Sequence, residues 1–305
     1  GERFYYLNEG YILLAGIIEK LSCMKYRDYI REKVLLRLGM EKSYHHRELF
    51  KADEDAAIPY IVDKEGRFVA REYPWGQAEA DGGLISNALD MSRYMMMYLR
   101  QGVGSGGPIV KPESIDAMAS KIVRTPPEDV DTGEPASYYG FGLGTSDFFG
   151  HRLVGHNGAM YVATASMRML PEYDCGAVVL VNGSGYAPVI MADFALALVS
   201  GKDPWDIPAL KAEKVLDGLT GTYETYRGTA NVTVRRKGDY LFIESQNKYA
   251  SDSSALVPFD LASERPRFYS YGSGHRQAVE FQHRDGTVEM INDRYKYRRT
   301  GRLPS

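Results

Sequence analysis

Cysteine is scarce in this chain, which has only Cys23 and Cys175 among its 305 residues. The two are far apart in the sequence, and neither belongs to a Cys-x-x-Cys pair or to a cysteine and histidine cluster. The sequence therefore encodes neither a zinc site nor a disulfide framework. A single bridge between the two cysteines stays open at this point.

Positive charge is not in excess, and long apolar runs are missing. Lysine and arginine total 37 against 40 aspartate and glutamate residues, which gives a formal net charge of -3. This balance offers no general attraction to a phosphate backbone, so we expect no nucleic-acid partner. Apolar stretches such as Gly176–Val181 and Phe194–Val199 are far shorter than the roughly 20 residues of a membrane-spanning helix. We therefore expect no membrane span in this chain.

An initiating methionine and a targeting segment are also missing, because the chain opens with Gly1 and Glu2. We expect the sequence to be the interior of a longer one, so any export signal would lie upstream and the compartment is undecided. What is present is a hydrophobic content of 44%, which is enough for one large domain or two ordinary ones.

Residues 1–200 mix helical spacing with alternating runs. Asn8–Leu21 carries apolar residues on most sides and predicts a mostly buried helix. Two more helices are predicted over Tyr29–Leu38, which ends at Gly39, and over Leu89–Leu99. Three neighbouring antiparallel strands and a helix across them are then predicted over Arg152–Gly155, Tyr161–Arg168, Gly176–Asn182 and Ala187–Ser200.

The composition changes after residue 200. Prolines and a glycine in residues 201–213 predict a linker, and residues 214–305 contain eight short alternating runs separated by turn residues. Closure removes exposed strand edges, so the runs predict a small antiparallel β-barrel. The aromatic positions expected to pack within this barrel, with a ligand pocket as the less favoured alternative, are Tyr223, Tyr226, Tyr240, Phe242, Phe268 and Phe281.

Several short motifs occur in a recognisable order. Tyr6-Leu7-Asn8 precedes a glycine-containing helical segment, and further motifs follow it: Leu38-Gly39-Met40, Asp81-Gly82-Gly83 with Asp90-Met91, Gly155-His156-Asn157-Gly158, Pro171, and Val181-Asn182. Together they cover roughly residues 1–200, as judged from their positions. The combination resembles the penicillin-recognising serine hydrolases, in the branch of class C β-lactamases and D-amino-acid peptidases. The closing barrel resembles the lipocalin-like module of some members.

This resemblance implies an α/β fold, with a β-lactamase/transpeptidase-like antiparallel sheet and a helical region, followed by a small all-β lipocalin-like barrel. It implies that Tyr6 is the general acid/base, which requires its ordinary pKa near 10 to be lowered by a cation or its proton to be shared. Asn8 would bind a substrate amide. The expected cation is the lysine of a Ser-x-x-Lys motif.

The Gly155-His156-Asn157-Gly158 motif implies that the strand around residue 156 contacts the substrate. His156 stands where many relatives have lysine, so recognition of a substrate carboxylate would be weaker and pH-dependent. Asn157 and Gly158 would bind substrate, with Gly158 allowing the substrate backbone to approach. The backbone amide of Ala159 would donate to the oxyanion.

The nucleophile itself is expected upstream of Gly1. Ser22-Cys23-Met24-Lys25 matches Ser-x-x-Lys, but it follows Tyr-x-Asn in the sequence, whereas the family's motif precedes it. It also coincides with the end of the first predicted helix. We therefore interpret Ser22 as a helix-end residue and not as the nucleophile.

The leading hypothesis is a serine hydrolase that acts through an acyl-enzyme on peptide amides, including peptides that contain D-amino acids. An esterase, a β-lactamase, or an inert scaffold whose barrel binds a ligand or partner subunit are the alternatives. Expected partners are a peptide or small amide or ester substrate, an N-terminal segment with Ser-x-x-Lys, and further copies of the chain. No cofactor or metal is expected.

Overall fold

The computed structural model describes residues 2–76, 78–125, 136–246, 250–271 and 275–303. Within these ranges the chain divides into two compact units, one ending at Pro204 and the other beginning at Trp205. No helix in the described ranges is long and apolar enough to cross a membrane. Cys23 and Cys175 are both free thiols, so the single bridge that the sequence left open does not form.

The first unit begins with helices. Gly39, with φ at 74°, ends the second helical run, as the sequence predicts. The helices are α1 (Asn8–Ser22), α2 (Tyr26–Ile30), α3 (Leu36–Leu38), α4 (Arg47–Lys51), α5 (Ala88–Leu99), α6 (Pro112–Met118) and α7 (Pro188–Val199). A π-helical segment, Arg31–Leu35, connects α2 to α3.

A six-stranded antiparallel sheet forms the other half of this unit, and two small hairpins lie outside it. The strands are β1 (Tyr60–Val62), β2 (Phe68–Ala70), β3 (Val103–Gly104), β4 (Gly107–Pro108), β5 (Val123–Arg124), β6 (Tyr138–Tyr139), β7 (Gly144–Phe148), β8 (His151–Met160), β9 (Ala163–Leu170) and β10 (Cys175–Val181). The spatial order in the sheet is β10-β9-β8-β7-β6-β5, and the hairpins are β1 with β2 and β3 with β4. The predicted antiparallel trio corresponds to β8, β9 and β10.

The core of the first unit lies between helices and one face of the sheet. Met95 and Met97 of α5 are buried together with Leu38, Val154 and Met169. The flexible thioether side chains of Met95, Met97 and Met169 fill the space between helix and sheet.

Helix α1 differs from its prediction as a mostly buried helix. Ala15 is its one buried residue, whereas Leu13 and Leu21 are 71% and 80% exposed. The sequence pattern places apolar side chains around much of the helix, but the described residues cover only one side of it. On the sheet, β10 is likewise an edge strand that pairs only with β9 among the described strands. The first unit thus presents an uncovered apolar helix face and an unpaired strand edge.

The second unit is a closed antiparallel barrel of eight strands, which confirms the predicted architecture. Its first strand pairs with both the second and the last, so the sheet closes on itself. The strands are β11 (Gly221–Thr225), β12 (Asn231–Lys237), β13 (Tyr240–Gln246), β14 (Ser251–Asp260), β15 (Arg267–Ser270), β16 (Gln277–Arg284), β17 (Thr287–Asn292) and β18 (Tyr295–Gly301).

The interior of the barrel is filled by aromatic and aliphatic side chains. Tyr223, Phe268 and Phe281 are fully buried, with the Phe281 ring centroid 5.5 Å from that of Phe268. These three confirm the predicted packing role. Tyr226 and Tyr240 differ from it, because they are 81% and 42% exposed.

The segment predicted as a linker, residues 201–213, is helical in its second part. Helix α8 (Pro208–Gly218) starts with a proline at its first turn, a position where the missing N–H is tolerated. Its Leu216 side chain is buried in the barrel core, and Val215 packs against that core. Apolar residues on one face of α8 therefore make the helix part of the barrel unit.

Replacing a central barrel side chain tests this packing. Phe281→Ala should lower the free energy of unfolding by about 3–5 kcal/mol, because it removes a buried ring and leaves a cavity. Tyr226→Ala, on the exposed outside, should change it by less than about 0.5 kcal/mol. Urea unfolding followed by circular dichroism measures both, and equal losses for the two variants would contradict the packed interior.

Candidate active site

A cleft in the first unit has a volume of about 1460 Å³. Its wall includes Tyr6 and Asn8, at the start of α1, and the second half of β8, residues 156–160. The two sequence motifs that the resemblance assigned to one site therefore line one cavity, although about 150 residues separate them in the sequence.

Strand β8 is unpaired along part of one side. Strand β7 begins only at Gly144, opposite Gly155, because the chain leaves β6 through a turn at residues 140–143, where Gly142 has φ at 93°. Beyond that point β8 pairs only with β9 among the described strands. We call the side of residues 156–160 that faces away from β9 the open edge.

The register determines which backbone groups point to the open edge. Met160 and Ala163 close a two-residue hairpin between β8 and β9, so this pair exchanges hydrogen bonds and the pattern alternates along the strand. Asn157 and Ala159 therefore direct their N–H and C=O groups away from β9. The Ala159 N–H therefore points to the open edge, and its oxyanion role stays a prediction.

His156 is held by a tyrosine that sequence reasoning missed. The Tyr139 hydroxyl and the Nε2 atom of His156 are 2.8 Å apart. Burial lowers the pKa of His156 below its ordinary value of 6.5. A backbone hydrogen bond with Asn157 acts in the opposite direction and raises the pKa, but its effect is smaller. The imidazole is therefore mainly neutral at pH 7, in the direction of the weaker and pH-dependent carboxylate recognition that was expected for this residue. No motif signals Tyr139, because the turn from β6 to β7 brings it to the site.

Tyr6 lies beside this pair. Its ring centroid is 6.2 Å from that of Tyr139 and 6.3 Å from that of His156, and the residue is 56% exposed. Burial and then the charges of Tyr11 and Asp81 raise the pKa of Tyr6. The predicted lowering by a cation is not met within the described residues, so a base at Tyr6 requires a positive charge from elsewhere or the sharing of its proton.

The remaining predicted residues also lie at the cleft. Asn8 is exposed and is the first residue of α1, whereas Leu7 is the helix cap and makes no side-chain capping bond. Asn157 accepts a hydrogen bond of 2.9 Å from Ser166 through its Oδ1 atom. A Cβ atom at Gly158 would meet only the Cβ of Ala165, at 3.5 Å. Packing within the chain therefore does not require glycine at residue 158.

Ser22 does not line this cleft. Its hydroxyl donates to the carbonyl of Ile18 at 2.6 Å, and Cys23 ends the helix in the left-handed conformation. Lys25 faces Glu19, at 3.9 Å. These contacts are those of a helix end and support the interpretation of Ser22 as a structural residue.

A sequence model of the beta-lactamase family matches residues 1–200, which is about two thirds of the chain. The chain belongs to the beta-lactamase family. The match confirms the resemblance and the fold expected for the first unit. A second model, described as the Pab87 octamerisation domain, matches residues 204–298.

This member of the beta-lactamase family is similar to three proteins that are named penicillin-binding proteins or homologues of them. Penicillin-binding protein 4* of Bacillus subtilis (strain 168) is 25% identical over 272 residues, covering 80% of this chain and 56% of that protein. The octameric penicillin-binding protein homologue from Pyrococcus abyssi has 36% identity and a TM-score of 0.83, covering 98% of this chain and 66% of that one. The penicillin binding protein from Bacillus halodurans shares the fold, with 23% identity and a TM-score of 0.52 over 64% of this chain and 57% of that one.

This beta-lactamase family chain is thus shorter than its relatives, spanning between 56% and 66% of the lengths of these three. The roles predicted for the six site residues stay predictions, although the structure brings all six to one cleft: Tyr6, Asn8, His156, Asn157, Gly158 and Ala159.

The neutral state of His156 can be measured directly. Its titration midpoint should lie below 6.5, since burial disfavours the imidazolium. The unfolded chain takes up this proton near pH 6.5, so the stability linked to His156 is complete above that pH and is lost as the pH falls through the folded midpoint. Two-dimensional NMR of labelled protein, with a His156→Gln variant for assignment, gives the midpoint; a value at or above 6.5 would contradict the burial argument.

Proposed function

We propose that the full-length protein is a serine hydrolase that acts through an acyl-enzyme on peptide amides, including peptides with D-amino acids. The observation that carries this proposal is the open edge of β8 next to Tyr6. An extended peptide can add to such an edge as a further strand, which holds its backbone in one register. The substrate amide would then lie between the Ala159 N–H and the Tyr6 hydroxyl.

The chemistry follows from these positions. A serine Oγ forms a bond to the substrate carbonyl carbon, and the negative charge on the oxygen is stabilised by the Ala159 N–H and by the N–H of the serine. Tyr6 takes the serine proton and passes it to the leaving nitrogen as the C–N bond breaks. Water then attacks the acyl-serine by the same route and restores the enzyme.

We propose that the serine and the lysine of Ser-x-x-Lys reside on a segment upstream of Gly1. The greater length of the relatives supports this. So do the apolar face of α1 and the unpaired edge of β10, since both are surfaces that a packed segment would cover. The lysine would supply the cation that Tyr6 lacks and would lower the pKa of Tyr6 from its raised value.

The neutral His156 favours a peptidase over a β-lactamase within this proposal. Recognition of a carboxylate next to the scissile bond needs a positive charge at that position. The burial that lowers the pKa of His156 removes most of that charge at neutral pH. An amide or ester substrate without a neighbouring carboxylate is compatible with the same cleft.

We propose that the barrel serves assembly into a homo-oligomer. The match of residues 204–298 to an octamerisation domain supports this, and so does the octameric state of the Pyrococcus abyssi homologue. Side chains fill the barrel interior, which leaves the outer surface as the part available for contacts. The outer face carries exposed aromatic residues, among them Tyr226 and Tyr271, a composition common at protein interfaces.

Covalent labelling of the full-length protein with a fluorophosphonate tests the hydrolase. We expect an adduct on a serine upstream of Gly1. Tyr6→Phe should slow adduct formation by about 10²- to 10⁴-fold, because the serine loses its proton acceptor. Intact-mass spectrometry gives the rate, and peptide mapping gives the residue.

Two control variants accompany this experiment. Tyr5→Phe changes a neighbouring tyrosine that is 78% exposed, and Ser22→Ala removes the hydroxyl of the competing motif. Both should react at the wild-type rate. An adduct on Ser22, or a folded protein that forms no adduct, would contradict the proposed hydrolase; the second result would favour an inert scaffold.

The assembly proposal has its own measurement. Light scattering coupled to size-exclusion chromatography of the full-length protein should give a mass several times that of one chain. The mass should stay constant over a tenfold dilution range, as expected of a closed symmetric oligomer. A monomeric mass at all concentrations would contradict the proposed role of the barrel.

A further inference from the structure

The cleft contains one carboxylate without a cationic partner. Three acidic and two cationic side chains line it. Lys42 bonds to Asp53 at 3.1 Å and to Asp55 at 2.6 Å, and Arg168 pairs with Asp193 at 3.1 Å. Among the described residues, Asp81 forms no ion pair. Because His156 is mainly neutral, the cleft as described carries an uncompensated negative charge.

A tight turn holds Asp81 in place. Its Oδ1 atom accepts a hydrogen bond of 2.9 Å from the Glu79 amide, and the Gly83 amide donates to the Glu79 carbonyl at 2.9 Å. A Cβ atom at Gly83 would lie 2.4 Å from the carbonyl oxygen of Ala78, so only glycine permits this close approach. The second carboxylate oxygen of Asp81 accepts no hydrogen bond from the described residues of the turn, and the half-buried residue faces the cleft.

Asp81 lines the same cleft as the open edge of β8 and the two tyrosines at its ends. The Tyr6 ring is 6.3 Å from that of His156 at one end, and the Tyr73 hydroxyl contacts the sulfur of Met160 at 3.6 Å at the other end. After burial and Tyr11, the charge of Asp81 raises the pKa of Tyr6, and after burial it raises the pKa of Tyr73. A peptide on the open edge would therefore share its cleft with the Asp81 carboxylate.

We infer that Asp81 is the binding site for a primary ammonium group of the substrate, so that the enzyme recognises peptides by a free amino terminus. The unpaired carboxylate supplies the opposite charge, and the rings of Tyr6 and Tyr73 supply aromatic surface on which a cation is stabilised. The absence of a charged side chain at residue 156 agrees with this, since no described cation is left free in the cleft for a substrate carboxylate. This inference rests on the proposed hydrolase and names the group that its site recognises.

Hydrolysis of matched substrates by the full-length protein tests the inference. The substrates are the p-nitroanilides of D-alanine and L-alanine with a free amine, and their N-acetyl counterparts. We expect the wild type to prefer the free amine of at least one enantiomer. Asp81→Asn should lower kcat/KM for that substrate by about 10- to 100-fold, the range for a hydrogen bond to a charged group, and should change the value for its N-acetyl counterpart by less than about threefold.

Glu79→Gln is the matched control, because it removes the same charge two residues away from an exposed side chain that does not line the cleft. It should leave both substrates unchanged. Asparagine keeps the Oδ1 acceptor of the turn, so Asp81→Asn preserves the backbone. An equal loss on both substrates would show that Asp81 acts on the catalytic groups, and an equal wild-type rate on both would show that no ammonium is recognised; either result overturns the inference.

A binding measurement separates this inference from the proposed function. Isothermal titration calorimetry at pH 6.5, where an amine with an ordinary pKa near 8 is protonated, compares alaninamide with N-acetylalaninamide and requires no turnover. We expect alaninamide to bind the wild type and the Glu79→Gln variant, and to bind Asp81→Asn about 10- to 100-fold more weakly. Equal binding to all three proteins would overturn the ammonium site even if hydrolysis and serine labelling are observed. The predicted binding without any serine adduct would contradict the proposed hydrolase and leave the ammonium site supported.

Discussion

The start of β7 at Gly144, opposite Gly155, is the constraint on which the candidate site depends. Because the chain turns back at residues 140–143, β8 continues for five residues with one side unpaired among the described strands. Backbone N–H and C=O groups are strong hydrogen-bonding groups that need partners, so this side is a place where another extended chain can add. The same five residues carry the imidazole of His156 and the amide of Ala159. Substrate alignment and oxyanion stabilisation thus have one structural origin in this account.

The electrostatics of the cleft complement this backbone feature. Burial keeps His156 mainly neutral and raises the pKa of Tyr6, so the described part of the site has neither a free cation nor an anionic base. A lysine from another segment would change both conditions at Tyr6. Asp81 supplies a negative charge to the same cleft, where the proposed substrate ammonium would lie. In the proposed function, this chain would supply one part of a hydrolase site that selects its substrate by charge.

Much of the fold could be predicted from the sequence, because its patterns are local. Alternating runs and turn residues predicted the positions of all eight barrel strands. The order of the motifs predicted the position of β8 and its neighbours. The exposure of α1 could not be predicted, since an apolar helix looks the same whether or not a partner covers it. Tyr139 was missed because a turn brings it to His156. Asp81 was recognised within a glycine motif, but its unpaired charge depends on the partners that Lys42 and Arg168 find elsewhere.

The most direct test of the account is a crystal structure of the full-length protein with the fluorophosphonate adduct in place. We expect the modified serine to face the Tyr6 hydroxyl within hydrogen-bond distance, and the phosphonyl oxygen to accept a hydrogen bond from the Ala159 N–H on the open edge of β8. An adduct whose oxygen points away from Ala159, or a serine on the far side of the sheet from Tyr6, would contradict the claim that this edge forms the active site.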